Sequence, residues 1–127
     1  ALIPGLDKAL SALIGDLSDR GMLAETLVLV MTDFGRTPKI NATGGRDHWP
    51  NCFSVAMAGG GVKGGQVIGA SDPLGEFVQD DPITPSDLSS TIYTLLGFNP
   101  DQELHTPDGR PIRLAPQESR VIQELLA

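Results

Sequence analysis

The polar segment TDFGRTPKINATGGRDHWP, residues 32–50, contains side chains that can bind a metal ion or an anion. Asp33 follows an apolar run, and His48 stands shortly before the next one. Ligands of open α/β sheets bind beyond the carboxyl ends of the strands, and a carboxylate with an imidazole suits a divalent metal. The spacing therefore makes Asp33 and His48 candidate metal ligands at one sheet edge. An aspartate after a strand more often forms a turn, and a lone histidine is more often a hydrogen-bonded surface residue, so a structural role for both stays open.

Two arginines of the same segment are candidate substrate-binding residues. The guanidinium groups of Arg36 and Arg46 can clamp a phosphate or sulfate, although loop arginines more often form ordinary ion pairs. Trp49 is predicted to anchor the segment by packing. A loop of this length without secondary structure of its own is a mild indication of function.

Other chemically active side chains are predicted to be structural. The glycine-rich residues 58–65 do not match a phosphate-binding P-loop, because Lys63 is followed by glycine, and they are interpreted as a flexible turn. Cys52 lies in an apolar run and is predicted to be a buried, unreactive thiol. His105 has no acidic or cysteine companion at ligand spacing. A G-x-S-x-G nucleophile motif is absent from the sequence, and no catalytic nucleophile is predicted in this chain.

The composition is that of a globular protein. Of the 127 residues, 40% are hydrophobic and 20% are charged, which excludes a disordered chain and allows one compact domain. The net charge of −7 argues against a nucleic-acid-binding surface. No apolar run is long enough to span a membrane. The single cysteine excludes an internal disulfide and leaves the compartment open.

The elements that must position the polar segment are visible as hydrophobic patterns. Leucine and isoleucine at helical spacing predict an amphipathic helix over residues 4–20, with Pro4 in its first turn and Gly21 just past its end. Residues 27–31 are apolar at every position, which indicates a strand covered on both faces, as in a parallel sheet. Residues 52–58 form a second such run, and residues 66–70 a third, shorter candidate strand.

The second half of the chain continues the alternation. Residues 84–97 are predicted to form a helix with Thr84 as N-cap and Gly97 as C-cap. Its expected buried stripe consists of Leu88, Ile92, Leu95 and Leu96. Residues 107–109 predict a turn between two extended pieces, and residues 116–126 a short helix. The expected fold is therefore a single α/β domain, residues 1–127, with a mostly parallel sheet flanked by helices.

Three blocks, ETLVLVMTDFGRTP, GRDHWPNCFSVAMAGGGVKGG and DLSSTIYTLLGFNPDQELHTPDGRPIRL, resemble the C-terminal part of the bacterial DUF1501 family. These are sulfatase-like proteins of the alkaline phosphatase superfamily, and the resemblance covers essentially the whole chain. It implies a partial alkaline-phosphatase-like fold and a two-metal site that hydrolyses phosphate or sulfate esters. In metal-dependent members a TSDHG or TADHG motif ends a central strand and ligates one metal, while a later histidine serves the other.

The resemblance assigns the ligand positions residue by residue. Asp33 of TDFG matches the aspartate ligand, and His48 matches the later histidine. Phe34 stands where the motif carries a histidine, and a phenyl ring cannot ligate a metal. The resemblance then implies a site that is weaker, that is completed by another residue such as Asp47, or that is lost.

The resemblance also sets the functional expectation. The chain starts at Ala1, directly before a helical pattern, and is expected to be the C-terminal portion of a larger sulfatase-like hydrolase. The nucleophile and the other ligands of Zn, Mn, Ca or Mg would lie in the missing part, so the chain alone would be inactive. The intact protein would take a small anionic ester, would be exported, and could pair through an uncovered sheet edge. The alternative is a non-catalytic binding or structural module that keeps the fold without a complete metal centre.

Overall fold

The computed structural model describes residues 2–127, which form a small mixed α/β architecture built on antiparallel hairpins. These residues contain two α-helices, α1 (Ile3–Asp19) and α2 (Pro85–Leu95). They also contain eight short strands: β1 (Val28–Val30), β2 (Gly35–Arg36), β3 (His48–Trp49), β4 (Ala56–Ala58), β5 (Ala70–Ser71), β6 (Val78–Asp80), β7 (Glu103–His105) and β8 (Pro111–Arg113). Neither helix is long and apolar enough to cross a membrane within this part of the chain.

The expected mostly parallel sheet of a partial alkaline-phosphatase-like fold is wrong. The strands pair as four separate two-stranded antiparallel sheets, β1 with β4, β2 with β3, β5 with β6 and β7 with β8. Parallel neighbours need a crossover, usually a helix. Between β1 and β4 the chain instead forms the β2–β3 hairpin and returns in the opposite direction, which pairs Val28 with Ala58 and Val30 with Ala56.

The apolar runs are only partly strands and only partly covered. Of residues 27–31, Val28–Val30 form β1 and are half-buried, and Met31 is exposed. Of residues 52–58, only Ala56–Ala58 form β4. The strand expected over residues 66–70 is present only at its last residue, because β5 begins at Ala70. The continuous apolar pattern indicated coverage on both faces, and no layer of residues 2–127 supplies it.

Both predicted main helices are confirmed. Pro4 lies in the first turn of α1, and Gly21 follows its end with φ +70. Thr84 caps α2 through a full capping box with Asp87, and Gly97 lies just past its end with φ +84. A proline at the start and a left-handed glycine beyond the end suit helix termini that leave backbone groups unpaired.

The face of α2 that is buried is polar, so the predicted apolar stripe is wrong. Its buried residues are Asp87, Ser90 and Thr91. Leu88, Ile92 and Leu95 are only half-buried and Leu96 is exposed. The reason is the C-terminal segment, residues 115–122, which lies across this face and supplies the two buried hydrophobic residues of the described chain, Ala115 and Ile122.

The C-terminal segment is irregular, and the helix expected over residues 116–126 is wrong except for one 3-10 turn at Gln123–Leu125. Two of its backbone N–H groups donate to side chains of α2 instead of to a helix of its own. Arg120 N donates to Asp87 Oδ1 at 2.8 Å, and Ile122 N donates to Thr91 Oγ1 at 2.9 Å. Side-chain acceptors of this kind compete directly with helical hydrogen bonds.

Two smaller features complete the fold. The turn predicted at residues 107–109 is confirmed, because it joins β7 to β8. The glycine-rich residues 58–65 form a turn in which close backbone approach requires glycine at Gly59 and Gly60. A Cβ on Gly59 would lie 2.4 Å from Leu23 O and from Thr26 O, so the glycine allows the turn to rest against the residues before β1.

Candidate functional site

The β2–β3 hairpin brings the two ends of the polar segment together. Its register pairs Gly35 with Trp49 and Arg36 with His48. Asp33 stands two residues before β2, so it lies at the same end of the hairpin as the residues that follow Trp49. A Cβ on Gly35 would approach Cys52 O to 2.1 Å, and this close approach requires glycine at the first position of β2.

The aromatic ring of Phe34 stacks on the imidazole of His48. The ring centroids are 3.8 Å apart and the planes are inclined by 17°. The guanidinium carbon of Arg36 lies 5.5 Å from the centre of the same phenyl ring. Phe34 therefore fixes the plane of the histidine. Sequence reasoning missed this role, and the only signal for it was an aromatic residue next to a candidate ligand.

Asp33 and His48 differ from their polar neighbours in having no hydrogen-bond partner in the described residues. Both residues are exposed, and neither side chain has a hydrogen-bond or ion-pair partner within residues 2–127. The polar side chains around them, with the exception of Lys39, all make hydrogen bonds inside the loop. Two potential ligands thus remain free in a loop whose other polar groups hold its shape.

The two arginines brace the loop from inside. Arg46 Nη1 donates to Thr37 O at 2.8 Å and to Pro38 O at 2.5 Å, and Arg36 Nη1 donates to Arg46 O at 3.3 Å. Neither is ion-paired within the described chain. Their predicted role in binding an anionic ester stays a prediction, and Arg46 uses part of its donor capacity for the backbone.

A further residue, Asn41, organises the loop and was missed from the sequence. Its Oδ1 accepts from Thr43 N, Thr43 Oγ1 and Gly45 N at 2.8–3.1 Å, and its Nδ2 donates to Asp47 Oδ1 at 2.8 Å. Asparagine ahead of glycines is a turn signal. Asp47, the possible substitute ligand, already has one oxygen engaged by this asparagine.

Trp49 anchors the loop to the next hairpin, which confirms its predicted packing role. Its indole Nε1 donates to Glu76 O at 2.6 Å, and its ring meets Phe77 edge to face at 5.8 Å. A groove of about 890 Å³ lies between these loops, lined by Ile40, Asp47, Trp49, Leu74 and Glu76 among others. Asp33 and His48 do not line it, so the groove and the candidate ligands are separate features.

The described residues fit a divalent metal only in part. One carboxylate and one imidazole are suitable donors for such an ion. Residues 2–127 contain no group of three or more His, Cys, Asp or Glu that could hold a metal. Asp33 and His48 therefore do not form a complete ligand set by themselves within these residues.

Two other candidates were predicted to be structural. His105 lies in β7 and is exposed. Cys52 is half-buried and free, so its predicted full burial is wrong. It lies four residues before β4, although the strand predicted over residues 52–58 would have contained it.

The comparisons with known proteins identify the family and nothing finer. The family model described as "Protein of unknown function (DUF1501)" matches residues 1–126, and the chain belongs to that family. No curated protein and no solved structure matches the chain.

Proposed function

We propose that this member of the DUF1501 family contributes Asp33 and His48 to a divalent-metal site that hydrolyses phosphate or sulfate esters in a longer polypeptide. The observation that carries the proposal is the β2–β3 hairpin. It pairs His48 with Arg36, three residues after Asp33, and leaves the side chains of Asp33 and His48 without hydrogen-bond partners in the described residues while surrounding polar groups are engaged. Their lone pairs are thus available to a metal, and the stacked Phe34 ring and the hydrogen-bonded loop supply part of the support that a preorganised site needs.

The roles of the residues follow from their chemistry. His48 would ligate through a neutral nitrogen, and the stacked Phe34 ring would hold the imidazole plane. Asp33 would bind through a carboxylate oxygen. A metal bound here supplies charge stabilisation for attack on phosphorus or sulfur. Arg36 stands next to His48 across the hairpin, where its remaining N–H groups can orient a small anionic ester.

The surface of the chain supports the proposal that it is the C-terminal portion of a larger protein. Its accessible area is 9093 Å², whereas a folded monomer of 13.4 kDa has about 6,500 Å². The nucleophile and the other ligands would come from the part of that larger protein that covers the excess accessible surface. Pairing of two molecules through the uncovered edges of the β1–β4 sheet, and export from the cell, belong to the same proposal.

A non-catalytic module is the second candidate, and Phe34 is the observation that favours it. The phenyl ring stands at a ligand position and occupies one face of His48. A protein that has lost one metal could keep this packing as a purely structural contact. The stack would then stabilise the hairpin and bind nothing.

The test is metal content and ester hydrolysis measured on the same preparations of the full-length protein. We expect bound divalent metal and hydrolysis of aryl phosphates or aryl sulfates, and we expect Asp33→Asn and His48→Ala to lower both together. His105→Ala is the matched control, since His105 is exposed in β7. Full-length protein without metal and without hydrolysis would support the non-catalytic module. Unchanged metal content in both variants would refute the assignment of the ligands.

A further inference from the structure

The groove of about 890 Å³ beside β3 is separate from the candidate metal ligands. Asp47 and Trp49 line this groove, whereas His48, which stands between them in the sequence, does not. Consecutive side chains of an extended strand point to opposite faces. The groove therefore lies on the face of β3 that His48 does not use. Its volume is within the range of about 300–1,000 Å³ that sites for small molecules occupy.

Hydrogen bonds hold both walls of the groove in place. On the side of the polar loop, Asn41 Nδ2 donates to Asp47 Oδ1 at 2.8 Å. On the side of the turn between β5 and β6, Asp72 Oδ1 accepts the backbone N–H of Glu76 at 2.8 Å. The indole N–H of Trp49 joins the two walls by donating to Glu76 O at 2.6 Å. The groove is thus formed without a ligand, as most sites for small molecules are.

Three charged side chains that line the groove keep free hydrogen-bonding groups. The side chains of Lys39 and Glu76 have no hydrogen-bond or ion-pair partner within residues 2–127. Asp47 uses only Oδ1, so its second carboxylate oxygen is free in the same part of the chain. The groove thus presents acceptors on two carboxylates and donors on one ammonium group.

Apolar side chains lie next to these charged groups. Ile40 is 57% exposed and Leu74 is 71% exposed, and both line the groove together with the half-buried ring of Trp49. An indole offers a large, rigid apolar surface. The groove therefore combines an apolar wall with free donors and free acceptors.

This combination selects among classes of ligand. A cation would meet the ammonium group of Lys39, and an anion would meet the carboxylates of Asp47 and Glu76. A purely apolar ligand would remove these charges from water without replacing their hydrogen bonds. A neutral sugar avoids all three costs, because each hydroxyl can donate to a carboxylate and accept from an ammonium group. The C–H face of its ring is apolar and suits the wall at Trp49.

We infer that the groove binds a neutral sugar. The sugar ring packs against the apolar wall formed by Ile40, Trp49 and Leu74, and its hydroxyls bond to the free groups of Lys39 and Glu76. The inference does not rest on the proposed function. It requires neither a metal nor hydrolysis, and it uses the face of β3 opposite His48.

The experiment is isothermal titration calorimetry on the full-length protein with four neutral probes, namely cello-, malto-, xylo- and mannotetraose. Spermidine and tetragalacturonate are the cationic and anionic probes. We expect at least one neutral tetraose to bind, and neither charged probe to bind as tightly. Glu76→Ala and Lys39→Met should each weaken sugar binding at least tenfold, since each removes hydrogen bonds to a charged group. Glu76→Ala keeps the backbone carbonyl that accepts the indole N–H.

Glu103→Ala is the matched control, because Glu103 is exposed in β7 and does not line the groove. It should leave the affinity for the sugar unchanged. Failure of all four neutral tetraoses to bind at millimolar concentration would overturn the inference, and so would tighter binding of spermidine or tetragalacturonate. Unchanged affinity in both Glu76→Ala and Lys39→Met would show that the sugar binds elsewhere. Sugar binding in His48→Ala should equal that of the unmodified protein, so the inference and the proposed function can fail separately.

Discussion

Replacing Thr91 by valine should detach the C-terminal segment from α2. Thr91 and Ile122 are essentially inaccessible to solvent, at 0% and 1% exposure. Thr91 Oγ1 accepts the backbone N–H of Ile122 at 2.9 Å and donates to Asp87 O at 2.7 Å. Valine keeps the shape of the side chain and removes the acceptor, so a buried N–H loses its partner.

The magnitude follows from the cost of that unpaired group. Leaving a buried donor unsatisfied costs about 1–3 kcal/mol. Opening of the segment should become easier by that amount, which corresponds to roughly 5- to 150-fold faster amide exchange at Ile122. Thr94→Val is the matched control, because the Thr94 hydroxyl donates only to Ser90 O within the helix.

Hydrogen exchange followed by mass spectrometry measures the amide exchange rate on peptides that cover residues 115–127. The expected result is faster exchange in Thr91→Val and little change in Thr94→Val. Equal exchange in the two variants would refute the view that the buried hydroxyl holds the segment. It would mean that the apolar contacts of Ala115 and Ile122 suffice.

Three further predictions concern acid, glycine and the aromatic stack. Burial raises the pKa of Asp87, but hydrogen bonds from the Arg120 backbone and from Thr84 outweigh burial and hold that pKa below the ordinary 3.8. The stabilisation by the Asp87 carboxylate is present above pH 3.8 and is lost as the pH falls through the lowered pKa. Acid titration followed by circular dichroism should therefore show a smaller acid-induced loss of structure in Asp87→Asn. Gly35→Ala should destabilise the hairpin by about 1–3 kcal/mol in urea unfolding, since the added Cβ would lie 2.1 Å from a carbonyl oxygen, while Gly64→Ala, which meets nothing within 4 Å, should be close to neutral. Phe34→Leu should cost the hairpin about 0.5–1.5 kcal/mol by removing the stack on His48, and an unchanged urea midpoint would contradict the stacking.

Local signals in the sequence were sufficient for features that depend on neighbouring residues. Thr84 was predicted as the N-cap from its residue type, and it does cap α2, in a capping box with Asp87 three positions further on. The turn at residues 107–109 likewise depends on its own proline, aspartate and glycine. Such features depend little on what the distant chain does.

Long-range features could not be predicted from the same patterns. The apolar run of residues 27–31 indicates that both faces should be covered, but it carries no information about the direction of the neighbouring strand. The segment over residues 116–126 has helical spacing, yet its backbone donors bind Asp87 and Thr91. A tertiary hydrogen bond thus decided a conformation that local propensity had assigned to a helix.

In the candidate site, too, features set by neighbouring residues could be predicted from the sequence and features set by long-range pairing could not. The spacing of Asp33 and His48 indicated two ends of one loop. The register pairs Arg36 with His48, and the convergence of Asp33 and His48 on one metal centre stays a prediction. The contact between Phe34 and His48 depends on the register of the β2–β3 pairing, which no local pattern specifies. The bracing by Asn41 and Arg46 depends on the loop conformation in the same way.

The most direct test of the central claim is an anomalous diffraction map of the full-length protein crystallised with Mn²⁺ or Zn²⁺. We predict anomalous peaks of one metal centre at roughly 2.0–2.2 Å from a carboxylate oxygen of Asp33 and from a ring nitrogen of His48, so that each residue ligates an ion of that centre. Metal-saturated crystals in which both side chains remain unliganded, or in which the ions bind elsewhere, would contradict it.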